Sequence, residues 1–235
     1  MTVNASKVTG GGKSNIPPLE PGSYPARIQS VIDLGLQAQR PYQGQDKQPA
    51  HELMLTYELS DEFLLDEDGQ VQEDKPRFVS DRFPLFPLNA EKAKSTKRYL
   101  ALDPTQEHGG DFGALLGMPV TVTITQSKPT ANGRIYNNVA GIAPMRSKEA
   151  DKLPALVNDQ VLFDLDEPDM QIFKSMLDWI RGVIAENLEF KGSKLEAAMS
   201  ADPAFNGAEA DNATANVVPE DGDDGEAEHD EENPY

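Results

Sequence analysis

The chain contains no cysteine, which excludes disulfide bonds and any metal or iron–sulfur site with thiolate ligands. It has no run of 18 consecutive apolar residues either, so we expect no transmembrane helix. Residues 1–14 lack the apolar core of a signal peptide. Hydrophobic residues make up 38% of the 235 residues, and we therefore expect part of the chain to stay unpacked.

Residues with the spacing of a catalytic or metal site are also scarce. The three histidines are scattered without metal-ligand spacing: His51, His108 and His229. Residues 10–14 (GGGKS) resemble the end of a phosphate-binding loop, but no strand pattern precedes them and Pro17-Pro18 interrupts any following helix. We therefore predict no catalytic residue, no metal site and no cofactor.

Four carboxylates precede a predicted helix that begins at residue 170: Asp164, Asp166, Glu167 and Asp169. Negative charge at this place is favoured by the helix dipole, and we interpret the group in that way. Spacing alone does not exclude a carboxylate-based nuclease, so that class stays open.

Acidic residues dominate the chain, but their distribution is uneven. The formal net charge is −19, which opposes nucleic-acid binding because phosphates are bound by Lys and Arg. Twelve of the acidic residues lie in residues 200–235, which contain no Lys or Arg. Residues 75–98, by contrast, hold seven basic residues and two acidic ones. We therefore expect a locally basic surface on an acidic protein.

Five segments have the alternating or β-branched pattern of strands: 24–36, 52–59, 77–83, 120–124 and 134–142. Asn132-Gly133 favours a hairpin turn before the fifth strand. A helix is predicted over residues 89–102, with Asn89 as its N-cap. Five strands with a helix between the third and fourth match the element order of an OB-fold barrel. The predicted fold is thus mostly β with added helices.

Residues 170–190 carry a continuous apolar stripe, which predicts one long amphipathic helix. It packs either on the barrel or on another subunit, as in a homodimer. Beyond residue 200 the composition cannot bury enough apolar surface to offset chain entropy. We therefore divide the chain into a flexible arm (1–21), a barrel core (22–163), a C-terminal helix (164–199) and a disordered acidic tail (200–235).

Aromatic and basic residues are interleaved in and around the predicted barrel. Proteins that bind single strands stack bases on aromatic rings, at about 1–3 kcal/mol per base, and line the backbone path with cations. This pattern predicts the following candidate DNA-binding residues: Arg27, Arg40, Tyr42, Lys47, Lys75, Arg77, Phe78, Arg82, Phe83, Phe86, Lys94, Lys97, Arg98, Tyr99, Arg134 and Tyr136.

The end of the chain combines dense negative charge with a terminal ring. Such a segment can imitate polyanionic DNA, occupy the binding groove of its own protein and become free for partners when DNA displaces it. A purely solubilising tail is the alternative. The candidate tail residues are Glu220, Asp221, Asp223, Asp224, Glu226, Glu228, Asp230, Glu231, Glu232 and Tyr235.

Residues 21–35 (PGSYPARIQSVIDLG), residues 51–59 (HELMLTYEL) and the acidic tail with its final aromatic residue resemble the phage single-stranded DNA-binding proteins of the T7-like type. That resemblance implies an OB-fold core that binds and protects single-stranded DNA during phage replication, recombination and repair. It also implies a tail that recruits the replicative DNA polymerase and the primase–helicase, in the cytoplasm of an infected bacterial host. Tyr235 stands where those proteins usually end in Phe.

An alternative from another class is an acidic protein-interaction or assembly module. In that case the barrel binds protein, the tail binds basic partners, and the chain has no affinity for single-stranded DNA.

Overall fold

The computed structural model describes residues 16–131 and 133–206. The described part of the chain begins with three long strands and ends in four helices, but strands contribute most of the ordered length, so the mostly-β class is confirmed. The strands are β1 (Gly22–Gln37), β2 (Ala50–Leu65), β3 (Val71–Pro84), β4 (Pro119–Gln126), β5 (Asn137–Pro144) and β6 (Val161–Phe163). The helices are α1 (Lys94–Leu102), α2 (Ser147–Ala150), α3 (Met170–Ser175), α4 (Asp178–Ala185), α5 (Lys194–Ala201) and α6 (Pro203–Asn206).

The strands form one sheet with the order β3-β2-β1-β4-β5, in which all neighbours are antiparallel. The short β6 adds to β1 in parallel, beside residues 30–32. All five strands predicted from the sequence are present, although β2 and β3 extend well beyond their predicted ends. Their extension forms a two-stranded arm, residues 60–76, in which β2 pairs with β3 alone.

Two register shifts in β1 bend the strand and change which face its side chains occupy. They lie between Ile28 and Ser30 and between Asp33 and Gly35. A β-bulge inserts an extra residue and increases the local twist. Ala26 and Ile28 therefore point into one core, whereas Ile32 beyond the first shift points into a second one.

The first core lies between the inner face of the sheet and α1. It contains alternate residues of each long strand, such as Leu55 and Tyr57 of β2, together with Phe83 and Tyr99. The rings of Tyr99 and Phe112 pack edge to face, with centroids 5.2 Å apart. Leu19, in the segment that we assigned to the flexible arm, is 3% exposed and belongs to the same core.

No backbone ladder joins the outer strands β3 and β5 within the described residues, so the sheet is open at this gap. Arg98 of α1 spans the gap with its guanidinium group. It donates to the Asp81 carboxylate of β3 over 2.8 Å and to the Val139 carbonyl of β5 over 2.8 Å. Lys94 also contacts Asp81, at 2.5 Å. We call this group the β3–β5 bridge.

The second core covers the opposite face of β1 and β2 at one end of the sheet. It joins Ile32, Leu34 and Met54 to the helices that follow β6. In it the rings of Phe163 and Phe173 stack at 5.8 Å. The C-terminal helices therefore pack on the sheet of their own chain.

The prediction of a single helix over residues 170–190 is wrong, because the helix is interrupted at Met176. Met176 ends α3 in an extended conformation (φ −68°, ψ 153°), and Leu177 precedes α4. Asp169 begins α3 by accepting hydrogen bonds from the next turn, at 2.7 and 3.3 Å. The break buries Phe173 and Met176 in the second core but leaves Leu177 63% exposed.

Two further boundaries differ from the prediction. Helix α1 begins five residues after Asn89, behind the N-cap Ala93, which makes no side-chain capping bond. Residues 203–206, assigned to the disordered tail, form the short helix α6, and Phe205 packs against Phe173. The candidate tail residues 220–235 lie outside the described residues. Over the described ranges, no helix has the length and apolar character needed to cross a membrane.

Candidate nucleic-acid interface

Three of the predicted contact residues are buried, which corrects their assignment. Phe83 is 1% exposed and Tyr99 0% exposed, so neither ring can stack on a base. Arg98 is 8% exposed, and its guanidinium group is used in the β3–β5 bridge. A prediction from the sequence pattern includes buried residues as readily as exposed ones, because the pattern does not show which face of a strand or helix is covered.

Arg27 is also committed within the protein. Its three guanidinium nitrogens donate to carbonyl groups of Pro154, Gly117 and Leu153, at 2.7, 2.9 and 3.1 Å. These bonds hold the segment of residues 153–160, which we call the covering segment, against the outer face of β1. Arg27 therefore fixes this segment, and each of its three guanidinium nitrogens is already used within the protein.

A buried glutamate holds the covering segment on β2. Glu58 is 4% exposed, and its carboxylate accepts from the backbone N–H of Val157 at 2.6 Å. It also accepts from the backbone and side-chain amides of Asn158, at 3.1 and 2.8 Å. No local pattern in the sequence points to this role of Glu58, since its partners are about 100 residues away.

The covering segment and the second core cover much of the outer faces of β1 and β2, whereas the outer face of β3 is open to solvent. Along this face lie Phe78, Ser80 and Arg82, at alternate positions of the strand. Phe78 is 44% exposed, and the Ser80 hydroxyl lies 3.2 Å from that of Thr56 on β2. At about 3.4 Å per residue, the line from Phe78 to Pro84 is roughly 20 Å long.

One end of this line meets the loop between β1 and β2. The exposed residues Arg40, Tyr42 and Lys47 all lie in that loop, and the Lys47 ammonium sits 4.7 Å from the centre of the Tyr42 ring. Phe86, 48% exposed, follows β3 at the same end. The Leu85 amide binds the His51 carbonyl at 2.7 Å, which ties this part of the chain to the start of β2.

Arg82 lies between the loop and the line. Its Nε donates to the Glu52 carboxylate, whose other oxygen accepts from the Gln39 side chain at 2.7 Å. Glu52 is 7% exposed, whereas the Arg82 side chain is 26% exposed. Gln39 and Glu52, which were not among the predicted residues, thus connect a predicted cation to the β1–β2 loop.

The other end of the line holds more of the predicted residues. Lys75 donates to the Gln72 side chain at 2.5 Å, and Arg77 donates to the Pro17 carbonyl at 2.6 Å. Arg134 and Tyr136 lie in the loop between β4 and β5. Arg134 is exposed and Tyr136 is half-buried. Leu19 links that loop to the same N-terminal segment, since its amide binds the Asn137 side chain at 2.8 Å. Asn132 lies outside the described residues, but Gly133 has φ +72°, as the predicted turn requires.

The remaining two basic candidates lie on α1. Lys94 is half exposed but paired with Asp81, whereas Lys97 is exposed. Because α1 packs at the gap between β3 and β5, these residues do not belong to the line along β3.

The tip of the two-stranded arm is acidic and partly apolar. It carries seven acidic residues between positions 61 and 74, and a cavity of about 720 Å³ lies between it and Ile16. Leu65 and Val71 are 59% and 58% exposed there. Burial raises the pKa of Asp61, and burial together with Glu62 and Glu20 raises the pKa of Tyr24. The negative potential of the arm contrasts with the cations at the opposite end of β3.

The described residues contain no group of three or more His, Asp or Glu side chains placed to hold a metal ion. Of the four carboxylates between 164 and 169, Asp169 caps α3, and Asp164 accepts from the Asp166 amide at 2.7 Å.

Comparison of the chain with protein-family models, with curated proteins and with solved structures finds no match.

Proposed function

We propose that the protein binds single-stranded DNA without sequence preference, along the outer face of β3 and the β1–β2 loop. The observation that carries the proposal is the line of exposed rings and cations: Phe78, Arg82 and Phe86, continued by Tyr42 and Lys47. Rings provide stacking surfaces for any base, and cations bind the phosphates between them. This combination suits a strand whose bases are unpaired.

The order of the strands supports an OB-type barrel as the scaffold for this interface. An OB-fold is a partly open five-stranded barrel that binds oligonucleotides on strands 2 and 3 and on the loops joining strands 1–2 and 4–5. Here α1 follows β3, the sheet runs β3-β2-β1-β4-β5, and the β3–β5 bridge spans the strands that a barrel would bring together. The open line lies on β3 and reaches the first of these loops.

The proposal includes the biological setting implied by the family resemblance. The protein would protect single strands during phage replication, recombination and repair in the cytoplasm of an infected bacterium. Its acidic tail would compete with DNA for the groove and recruit the replicative polymerase and the primase–helicase. The charge distribution supports this part, since nine of the last sixteen residues are acidic.

A titration of fluorescent oligo-dT tests the proposal. The wild-type protein is expected to bind with an affinity that falls steeply with salt, because bound phosphates release counterions. Phe78→Ala is expected to weaken binding about 5- to 150-fold, which corresponds to about 1–3 kcal/mol of stacking. Deletion of residues 220–235 is expected to tighten it.

Leu65→Ala is the matched control, since Leu65 is also a large exposed side chain but lies on the acidic arm. It should leave the affinity unchanged, and Phe78→Tyr should retain most of it. Absence of oligo-dT binding at 50 mM salt, with or without the tail, would contradict the proposal.

The acidic arm favours the second candidate, a protein-interaction module. Its exposed Leu65 and Val71 line a cavity surrounded by carboxylates, a combination suited to a basic segment with an apolar anchor. This function alone predicts no oligo-dT affinity at low salt. The same titration therefore separates the two candidates.

A further inference from the structure

The three arginines on the strands of the sheet differ in how many of their donors the protein uses. Arg27 uses all three nitrogens on backbone carbonyls. Arg77 uses both terminal nitrogens, one on the Pro17 carbonyl and the other on Glu62 at 3.9 Å. Arg82 uses Nε alone, and its two terminal nitrogens donate no hydrogen bond to any residue between 16 and 206 that the structure describes.

The partner of Arg82 is itself held in place. Glu52 is the residue opposite Pro84, so it lies diagonally across from Arg82 on the same face of the β2–β3 pair. One carboxylate oxygen accepts from Arg82 and the other from Gln39, and the group is 7% exposed. A buried carboxylate with two donors has little freedom to move, so it fixes the direction of the guanidinium plane.

A guanidinium anchored through Nε keeps the end of the group free, where one N–H of each terminal nitrogen can donate. Two parallel N–H donors match two oxygens of a phosphate, which is the geometry of bidentate arginine–phosphate pairs. Because the side chain is already oriented, binding loses less of its rotamer entropy than binding by a free surface arginine. Arg40 and Arg134, both exposed, have no such anchor among the described residues.

We propose that Arg82 is a pre-oriented bidentate contact for one backbone phosphate of the bound strand, and that Glu52 is its positioning residue. The inference rests on the proposed function and adds to it the atoms that bind the phosphate. Gln39 lies at the start of the β1–β2 loop, so the same carboxylate couples the loop to the contact.

Replacement of Arg82 by Lys separates this geometry from simple charge. A lysine keeps the positive charge, but its single ammonium is held by Glu52 and cannot present a fork to the phosphate. Arg82→Lys and Arg82→Gln are therefore both expected to lower the slope of log affinity against log salt by about 0.7, the value for one phosphate on a single strand. At 0.1 M salt this slope corresponds to a loss of about fivefold.

The role of Glu52 is tested in a double-mutant cycle with oligo-dT. Glu52→Gln removes the charged anchor, so the ammonium of the lysine variant becomes free to meet the phosphate. In the Glu52→Gln background, Arg82→Lys is expected to change the slope by less than about 0.2, whereas Arg82→Gln still lowers it by about 0.7. Arg146→Lys and Arg146→Gln are the matched controls, since Arg146 is exposed and contacts Glu149 at 3.8 Å on α2. They should leave the slope unchanged.

A wild-type slope for Arg82→Lys would show that a point charge suffices and would overturn the bidentate contact. Equal effects of Arg82→Lys with and without Glu52 would overturn the positioning role. Thermal melts of every variant identify any loss of folding, which would lower the active fraction without changing the slope. If the wild-type protein fails to bind oligo-dT, the proposed function fails as well, whereas altered slopes alone test this inference.

Discussion

The β3–β5 bridge makes a strong prediction about stability. Arg98→Met removes the guanidinium group that joins Asp81 to the Val139 carbonyl but keeps an unbranched side chain of similar reach. Asp81 is 3% exposed, so its carboxylate would remain buried with Lys94 as its charged partner. The substitution therefore tests how much of the stability of the fold depends on the one side chain that spans the gap between β3 and β5.

The magnitude follows from the burial of the pair. Removal of one partner of a buried ion pair costs about 3–5 kcal/mol, because the other charge stays in the interior. Lys94 at 2.5 Å offsets part of this cost, so we expect the lower end, about 3 kcal/mol. For a chain of this size, 1 kcal/mol corresponds to roughly 2–4 °C, and the melting temperature should fall by about 6–12 °C.

Urea denaturation followed by circular dichroism measures the loss directly. Asp81→Leu combined with Arg98→Met replaces the pair by apolar side chains and should recover most of the stability. Lys97→Met is the control on the exposed side of the same helix, and it should stay within about 0.5 kcal/mol of the wild type. A loss below about 1 kcal/mol for Arg98→Met, or a double variant no more stable than the single one, would refute the reasoning.

Two further predictions concern a loop and a bulge. Burial opposes ionisation of Asp103, but bonds from the His108 and Glu107 amides and the Tyr99 hydroxyl outweigh it, and its pKa lies below the ordinary value. This carboxylate therefore stabilises the fold above about pH 4 and loses that effect as pH falls through its folded pKa, so melts from pH 6 to 2.5 should be flatter for Asp103→Asn. Gly35 has φ +76°, and a Cβ there would lie 2.8 Å from the Asn187 side chain, so Gly35→Ala should cost about 2–4 kcal/mol in urea denaturation. Gly44→Ala, with φ +79° and open space, should cost only about 1 kcal/mol; equal costs would contradict a packing contribution at Gly35.

The strands could be predicted from the sequence because apolar and polar residues alternate along a strand that has one face buried and the other exposed. The pattern gave β1 nearly to its ends, Gly22 and Gln37, even though two bulges shift its register. The helices α3 and α4, which follow β6, were predicted less accurately than the strands. Nothing in the sequence around Met176 marks a break, since it has neither Pro nor Gly nearby, and in the structure Met176 belongs to the second core together with Ile32 and Met54.

The pattern of charges and rings predicts which kinds of residue the candidate site contains. It does not show which of the individual residues are accessible. Arg27, Arg82 and Arg98 are indistinguishable in the sequence, yet one holds the covering segment, one faces outward from Glu52 and one bridges β3 to β5. Their acceptors lie between 17 and 127 residues away, so only the tertiary structure assigns them. Tyr42 and Phe78 are exposed, but the interleaving of rings and cations did not show which of the candidate rings face solvent.

The bend of β1 explains why the candidate interface lies on β3. Beyond the first register shift, Ile32 and Leu34 face outward, and an outward apolar pair on a central strand must be covered. The C-terminal helices cover it, and the chain that leads to them crosses β1 and β2 as the covering segment held by Arg27 and Glu58. This route uses the outer faces of both strands, and on the neighbouring β3 the ring of Phe78 and the guanidinium group of Arg82 stay accessible to solvent. If the proposed function holds, we expect the bound strand to run along β3 from Phe78 toward the β1–β2 loop, in line with the positions of Arg82 and Phe86.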